Sequence, residues 1–129
     1  MAGLPVSWLL VSAGLVQLPQ QDKLLVYISM LLWFPLIEEL AFRGLIQGRL
    51  SLSTTGKRAW LGISLANLGG SSAFVVWHLL YQPTLFVLTL MVPSLVFGFF
   101  RDRYNSLLPG LILHVVYNGV LLLVVELAA

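Results

Sequence analysis

Cysteine is absent from this 129-residue chain, which excludes disulfides and thiolate metal sites and leaves the redox compartment unread. Charge is almost as scarce. Only 9% of residues are charged, against about 25% in an average soluble domain. With 59% hydrophobic residues, the chain has too little polar surface to face water. These scarcities imply an integral membrane protein, all-α, a single-domain bundle of about five transmembrane helices at ~20 residues each. The net charge of +2 comes from short loops and does not suggest a nucleic-acid partner. The N-terminus has no basic region of the signal-peptide kind. Leu4–Leu18 therefore reads as a short retained span or an interfacial helix.

What is present is a series of apolar segments separated by short polar breaks. After Leu4–Leu18, the breaks fall at Pro19–Asp22, Ser51–Arg58, Tyr81–Pro83 and Arg101–Ser106. Between them lie Leu24 to about Leu50, Ala59 to about Leu80, Thr84–Phe100 and Leu107 to about Leu127. The third segment is interrupted at Gly69-Gly70-Ser71-Ser72, and Pro93 marks a kink in the fourth. Arg49, Lys57, Arg58, Arg101 and Arg103 fall in loops on one side of a five-crossing topology, and only Lys23 falls on the other. The basic side is expected to be cytoplasmic, with the N-terminus inside. Trp8, Trp33, Trp60, Trp77, Tyr27 and Tyr81 read as interface or packing aromatics.

Against this background the few polar groups inside apolar segments stand out. Glu38 and Glu39, two of the five acids, sit side by side in the middle of Leu24–Leu50, and both histidines, His78 and His114, also lie inside apolar segments. A carboxylate at the bilayer centre costs at least ~2.5–3.5 kcal/mol, so each must face protein or a water-filled cavity. Glu39 and Arg43 are i,i+4, the favourable order for an ion pair. His114 and Asn118 share the same spacing, as do Phe74 and His78. Glu38 points about 100° around the helix from Glu39, so one carboxylate can pair with Arg43 while the other meets a different partner. Counted at ~1.5 Å per residue, Glu38 and His114 lie at about 9–10 Å from the basic side. His78 matches that depth only if its span starts nearer Gly69 than Ala59.

The three motifs Glu38-Glu39-x-x-x-Arg43, Phe74-x-x-x-His78 and His114-x-x-x-Asn118, in this order on three apolar segments, resemble those of the CPBP intramembrane protease family. That family includes type II CAAX prenyl endopeptidases, bacteriocin self-immunity proteins and sorting-signal proteases. The resemblance covers about Leu24 to Leu123 and takes in Gly44 and the Ser-Leu-Leu-Pro stretch before His114. It implies an intramembrane endopeptidase in which Glu38 activates a water, His78 helps to hold it, His114 and Asn118 donate to the oxyanion, and Glu39 and Arg43 brace the site. A cavity open to the cytoplasmic side is expected to admit the water. The preferred reading has no cofactor; the alternative is a zinc ion on Glu38, His78 and His114. The implied partners are membrane lipid and a peptide or protein cut close to the bilayer, in a bacterial cytoplasmic membrane. Leader and sorting peptides are favoured over prenylated proteins because the chain is short for the family. Competing readings are a non-proteolytic immunity or binding protein, a haem protein with His78 and His114 as axial ligands, and an ion carrier.

Overall fold

The computed structural model describes residues 20–81 and 84–128. The expected first segment, Leu4–Leu18 with Trp8, lies outside them. The described chain starts with one unbroken helical run, residues 20–50, that changes its pitch twice. It comprises α1 (Gln20–Ile28), a π-helical stretch π1 (Ser29–Trp33), α2 (Phe34–Glu38), a longer π-helical stretch π2 (Glu39–Gln47) and α3 (Gly48–Leu50). A two-residue-per-strand hairpin follows, β1 (Ala59–Trp60) paired antiparallel with β2 (Ile63–Ser64). Then come α4 (Leu65–Leu79), α5 (Thr84–Thr89), α6 (Met91–Tyr104) and α7 (Leu108–Ala128). The hairpin is a small departure from the all-helical expectation.

Proline explains two of the irregularities. In π1 the Phe34 N–H reaches back five residues to Ser29 O. The next bond in that register would run from residue 35 to Met30, but residue 35 is proline and has no N–H. The ladder therefore cannot continue in the wide register, and α2 restarts with Pro35 in its first turn. Pro93 acts in the same way on the fourth segment. It has no N–H for Thr89, and the helix breaks just upstream, at Leu90, so that α5 and α6 meet there rather than at the proline. α6 also continues through Arg101 and Arg103, where a loop was expected, and ends at Asn105 in the left-handed region.

The third segment differs most from expectation. Gly69-Gly70-Ser71-Ser72 does not interrupt it; α4 runs straight through. The break lies earlier, in the β1–β2 hairpin, and Ser64 caps α4 by accepting from Asn67 N. The glycines serve close packing. A Cβ on Gly70 would lie 3.0 Å from Phe42 O and 3.1 Å from Gln47 Cβ, so π2 and α4 cross almost backbone to backbone.

The packing is inside-out relative to a soluble protein. Leu24, Leu25, Leu32, Val92 and Leu123 are exposed, while the largest fully buried side chains are Arg43, Gln47 and Glu39. Lipid rewards this distribution, since apolar side chains facing acyl chains lose nothing and polar ones must find protein partners. Two runs, Lys23–Leu50 and Leu85–Tyr104, are long and apolar enough to cross a membrane, and Leu108–Val124 is a shorter apolar helix. The buried apolar cluster is small: Phe42, Phe74, Val75, Val87 and Leu90.

Candidate active site

His78 is brought level with Glu38 by the way the helices pair. Gly70 of α4 abuts Gln47, Phe74 meets Phe42 at 5.3 Å between ring centroids, and His78 reaches Glu38. Two antiparallel helices in this register carry His78, at the end of α4, to the junction of α2 and π2. From the other side α7 brings His114 to the same junction.

Five of the six singled-out residues form one cluster. Glu38 faces both imidazoles, with Oε1 3.7 Å from His78 Nε2 and Oε2 3.4 Å from His114 Nε2. Both separations exceed hydrogen-bond length. Glu39 Oε1 lies 3.1 Å from His114 Nδ1. Glu39 Oε2 lies 3.8 Å from Arg43 Nε, an ion pair without a hydrogen bond. Each imidazole is oriented by its other nitrogen. The Phe74 carbonyl can only accept, so His78 Nδ1, 2.9 Å away, is the donor. Nε2 of each ring is thereby left pointing at Glu38, the arrangement that fixes a catalytic imidazole.

Aromatic rings hold these groups in place. His78 lies over Phe74 at 4.2 Å, and His114 stacks on Phe97 at 4.9 Å with Phe74 edge-on. The Arg43 guanidinium sits 5.3 Å from the Phe74 centroid and 5.9 Å from that of Phe97, within cation–π range. Its Nη2 donates to Ser94 O at 2.9 Å and Ser94 Oγ at 2.7 Å. Gly110 makes room on α7, since a Cβ there would lie 3.0 Å from Glu39 Oε2.

Asn118 is placed differently. It lies one turn beyond His114, and its Nδ2 donates to Met30 O at 2.9 Å. That carbonyl is the one deprived of its helical donor by Pro35. Asn118 thus ties α7 to the irregular turn of the long helix, with one of its two N–H groups committed there.

Burial falls off across the cluster. The side chains of Arg43 and Glu39 are 0% and 1% exposed, His114 is 4%, and His78 and Glu38 are 12% and 18%. The accessible edge is the Glu38–His78 side. Toward the basic loops the interior among the described residues is filled by further buried polar residues. Gln47 Nε2 donates to Gly98 O at 2.9 Å and Asp102 Oδ1 at 2.8 Å; Asn67 Nδ2 donates to Leu95 O at 2.9 Å and Oδ1 accepts from Ser71 at 3.1 Å. The sequence carried a signal for this column: Glu39-Arg43-Gln47, Asn67-Ser71 and Ser94-Gly98-Asp102 all repeat at intervals of four, one side of a helix each.

Two imidazole nitrogens and a carboxylate are the right donor types for a catalytic zinc. Among the described residues, however, no set of three or more His, Asp or Glu side chains is grouped so as to hold a metal ion.

Comparison with known proteins gives a family match. The family model described as type II CAAX prenyl endopeptidase Rce1-like matches residues 20–120. No curated protein and no solved structure matches the chain.

Proposed function

The chain belongs to the type II CAAX prenyl endopeptidase Rce1-like family, a protease family of membrane-embedded proteins, and from that premise we propose that it is an intramembrane endopeptidase using a water activated by Glu38. The observation that carries this reading is the Glu38 carboxylate facing Nε2 of both His78 and His114 at 3.7 and 3.4 Å. These gaps are too long for hydrogen bonds, and a water seated against the carboxylate can reach both rings.

In the proposed reaction Glu38 takes a proton from that water while the oxygen attacks the carbonyl carbon of the scissile peptide. His78 positions the water through Nε2. Charge then develops on the carbonyl oxygen. His114, oriented at Nδ1 by Glu39 Oε1, donates to it from Nε2; the second N–H of Asn118 is the other donor. One such donor is worth about 2.7–4 kcal/mol of transition-state stabilisation. Collapse of the tetrahedral intermediate breaks the C–N bond, and Glu38 returns its proton to the leaving amine. Arg43 lies beside the other carboxylate oxygen of Glu39, Oε2, and offsets its buried charge. No step is routed through a metal.

In this reading a single protease domain with its core at about residues 24–123 crosses the bilayer about five times, counting Leu4–Leu18 as one crossing. Its basic loops are cytoplasmic. The substrate is a peptide or protein with a cleavage site close to the membrane. Leader and sorting peptides stand beside the prenylated C-terminal peptides that the family description names.

Trapping tests the proposal. Glu38→Gln protein carrying a photocrosslinker near His78 is expected to capture a membrane peptide that the native protein, purified into liposomes, then cleaves. A captured peptide that Glu38→Gln cleaves at the native rate overturns it.

A further inference from the structure

The β1–β2 hairpin is unlike the rest of the basic end. Its tip carries Trp60 and Leu61, each 80% exposed. Leu61 and Gly62 form the two-residue turn, with φ of 50° and 82°. Positive φ at both positions is the type I′ geometry that Asn-Gly satisfies most easily. A leucine there is strained by its Cβ, and among the described residues its side chain stays 80% exposed. Strain kept at an outward-pointing apolar residue suggests an external partner.

The hairpin is fixed rather than free. A Cβ on Gly62 would sit 3.2 Å from the Phe99 ring, and Ser64 donates its hydroxyl to Asp102. These contacts set its height at the place where Leu85–Tyr104 changes from apolar to charged. Lys57 and Arg58 precede the tip and are exposed, as are Arg49 in α3 and Arg103 at the end of α6. Asp102, the acid at this end, is engaged by Arg101, Gln47 and Ser64. The surroundings of the tip are therefore cationic.

We propose that the tip is a membrane-surface anchor, with Trp60 and Leu61 seated at the headgroup–acyl boundary of an anionic leaflet and Lys57 and Arg58 at its phosphates. Tryptophan favours that boundary, and basic residues beside it are attracted to anionic lipid. A second copy of the chain fits less well. Two residues are far short of the about 800 Å² per partner of a stable interface, and two cationic rims repel. The anchor does not depend on the proteolytic reading.

The absence of cysteine makes the test direct. Leu61→Cys, spin-labelled in the full-length protein in phosphatidylcholine vesicles, is compared with Thr54→Cys on the preceding exposed turn. The expected ratio of oxygen to nickel-chelate accessibility is several-fold higher at 61 than at 54. It rises further on adding phosphatidylglycerol, and Lys57→Gln with Arg58→Gln abolishes that rise. Equal nickel accessibility at the two positions overturns the anchor. So does protection from both reagents that grows with protein density, which would report a second copy. A ratio unmoved by phosphatidylglycerol overturns the choice of an anionic leaflet. Trp60→Cys gives the same readout if Leu61→Cys does not elute as folded protein.

Discussion

The upper and lower halves of the buried polar column use similar side chains but hold them differently. In the lower half, Gln47, Asn67, Ser71 and Asp102 bond one another or backbone carbonyls at 2.8–3.1 Å. In the upper half, Glu39 Oε1 keeps a 3.1 Å contact with His114 Nδ1, but Glu38 stands 3.4–3.7 Å from its imidazoles and Glu39 Oε2 3.8 Å from Arg43 Nε. The lower half is close to what lipid-facing helices need, its polar groups bonded by protein except for Gln47 Oε1, which has no partner among the described residues. The upper half leaves gaps at its more accessible edge, where the proposed mechanism seats its reactant. Ser94 joins them through its two contacts with Arg43 Nη2. The comparison suggests that satisfied polarity builds this bundle and that spaced polarity performs the chemistry.

Substitutions in the two halves should therefore fail in different ways. Outside Glu38 itself, the largest expected effect is at His114. In the proposed mechanism His114→Ala removes an oxyanion donor and lowers kcat by about 10²–10³-fold, with the thermal unfolding midpoint little changed. Next is Gly98→Ala in the lower half. Its Cβ would lie 1.9 Å from Asn67 Oδ1 and 2.9 Å from Gln47 Oε1, an overpacking expected to cost about 1–3 kcal/mol of stability, read by thermal or denaturant unfolding in detergent.

Asn118→Ala leaves Met30 O without a donor, at a cost of about 1–3 kcal/mol. In a Pro35→Ala background residue 35 regains its N–H and the cost is expected to shrink, so a double-mutant cycle should show coupling between α7 and the long helix. A chelator is expected to leave cleavage unchanged; loss of activity restored by zinc would replace the metal-free mechanism. The smallest effect is at the hairpin, where Leu61→Asn is expected to raise the unfolding midpoint slightly in detergent, because asparagine tolerates the left-handed region.

The sequence made the upper half legible and the lower half much less so. A carboxylate or imidazole is conspicuous inside an apolar run, so Glu38, Glu39, His78 and His114 stood out by scarcity, and i,i+4 spacing linked Glu39 to Arg43. Gln47, Ser94 and Asn67 are uncharged and common, so only their interval of four marked them. The hairpin was hidden because Ala-Trp-Leu-Gly-Ile-Ser reads as apolar span, its turn carrying leucine where asparagine would have signalled it. Gly69-Gly70 read as a break because glycine lowers helix propensity, yet close packing against Gln47 and Phe42 prevailed. The π-helical stretches had no visible cause in the sequence; Pro35 explains only where the first one ends, and its consequence for Met30 needed the three-dimensional placement of Asn118.

The most direct test is single-turnover cleavage of a captured substrate by purified Glu38→Gln protein in liposomes, with its unfolding midpoint measured on the same sample. The account predicts turnover lowered by about 10²–10⁴-fold in protein at least as stable as the native form. Native-rate cleavage by Glu38→Gln, or activity lost only in step with unfolding, would contradict it.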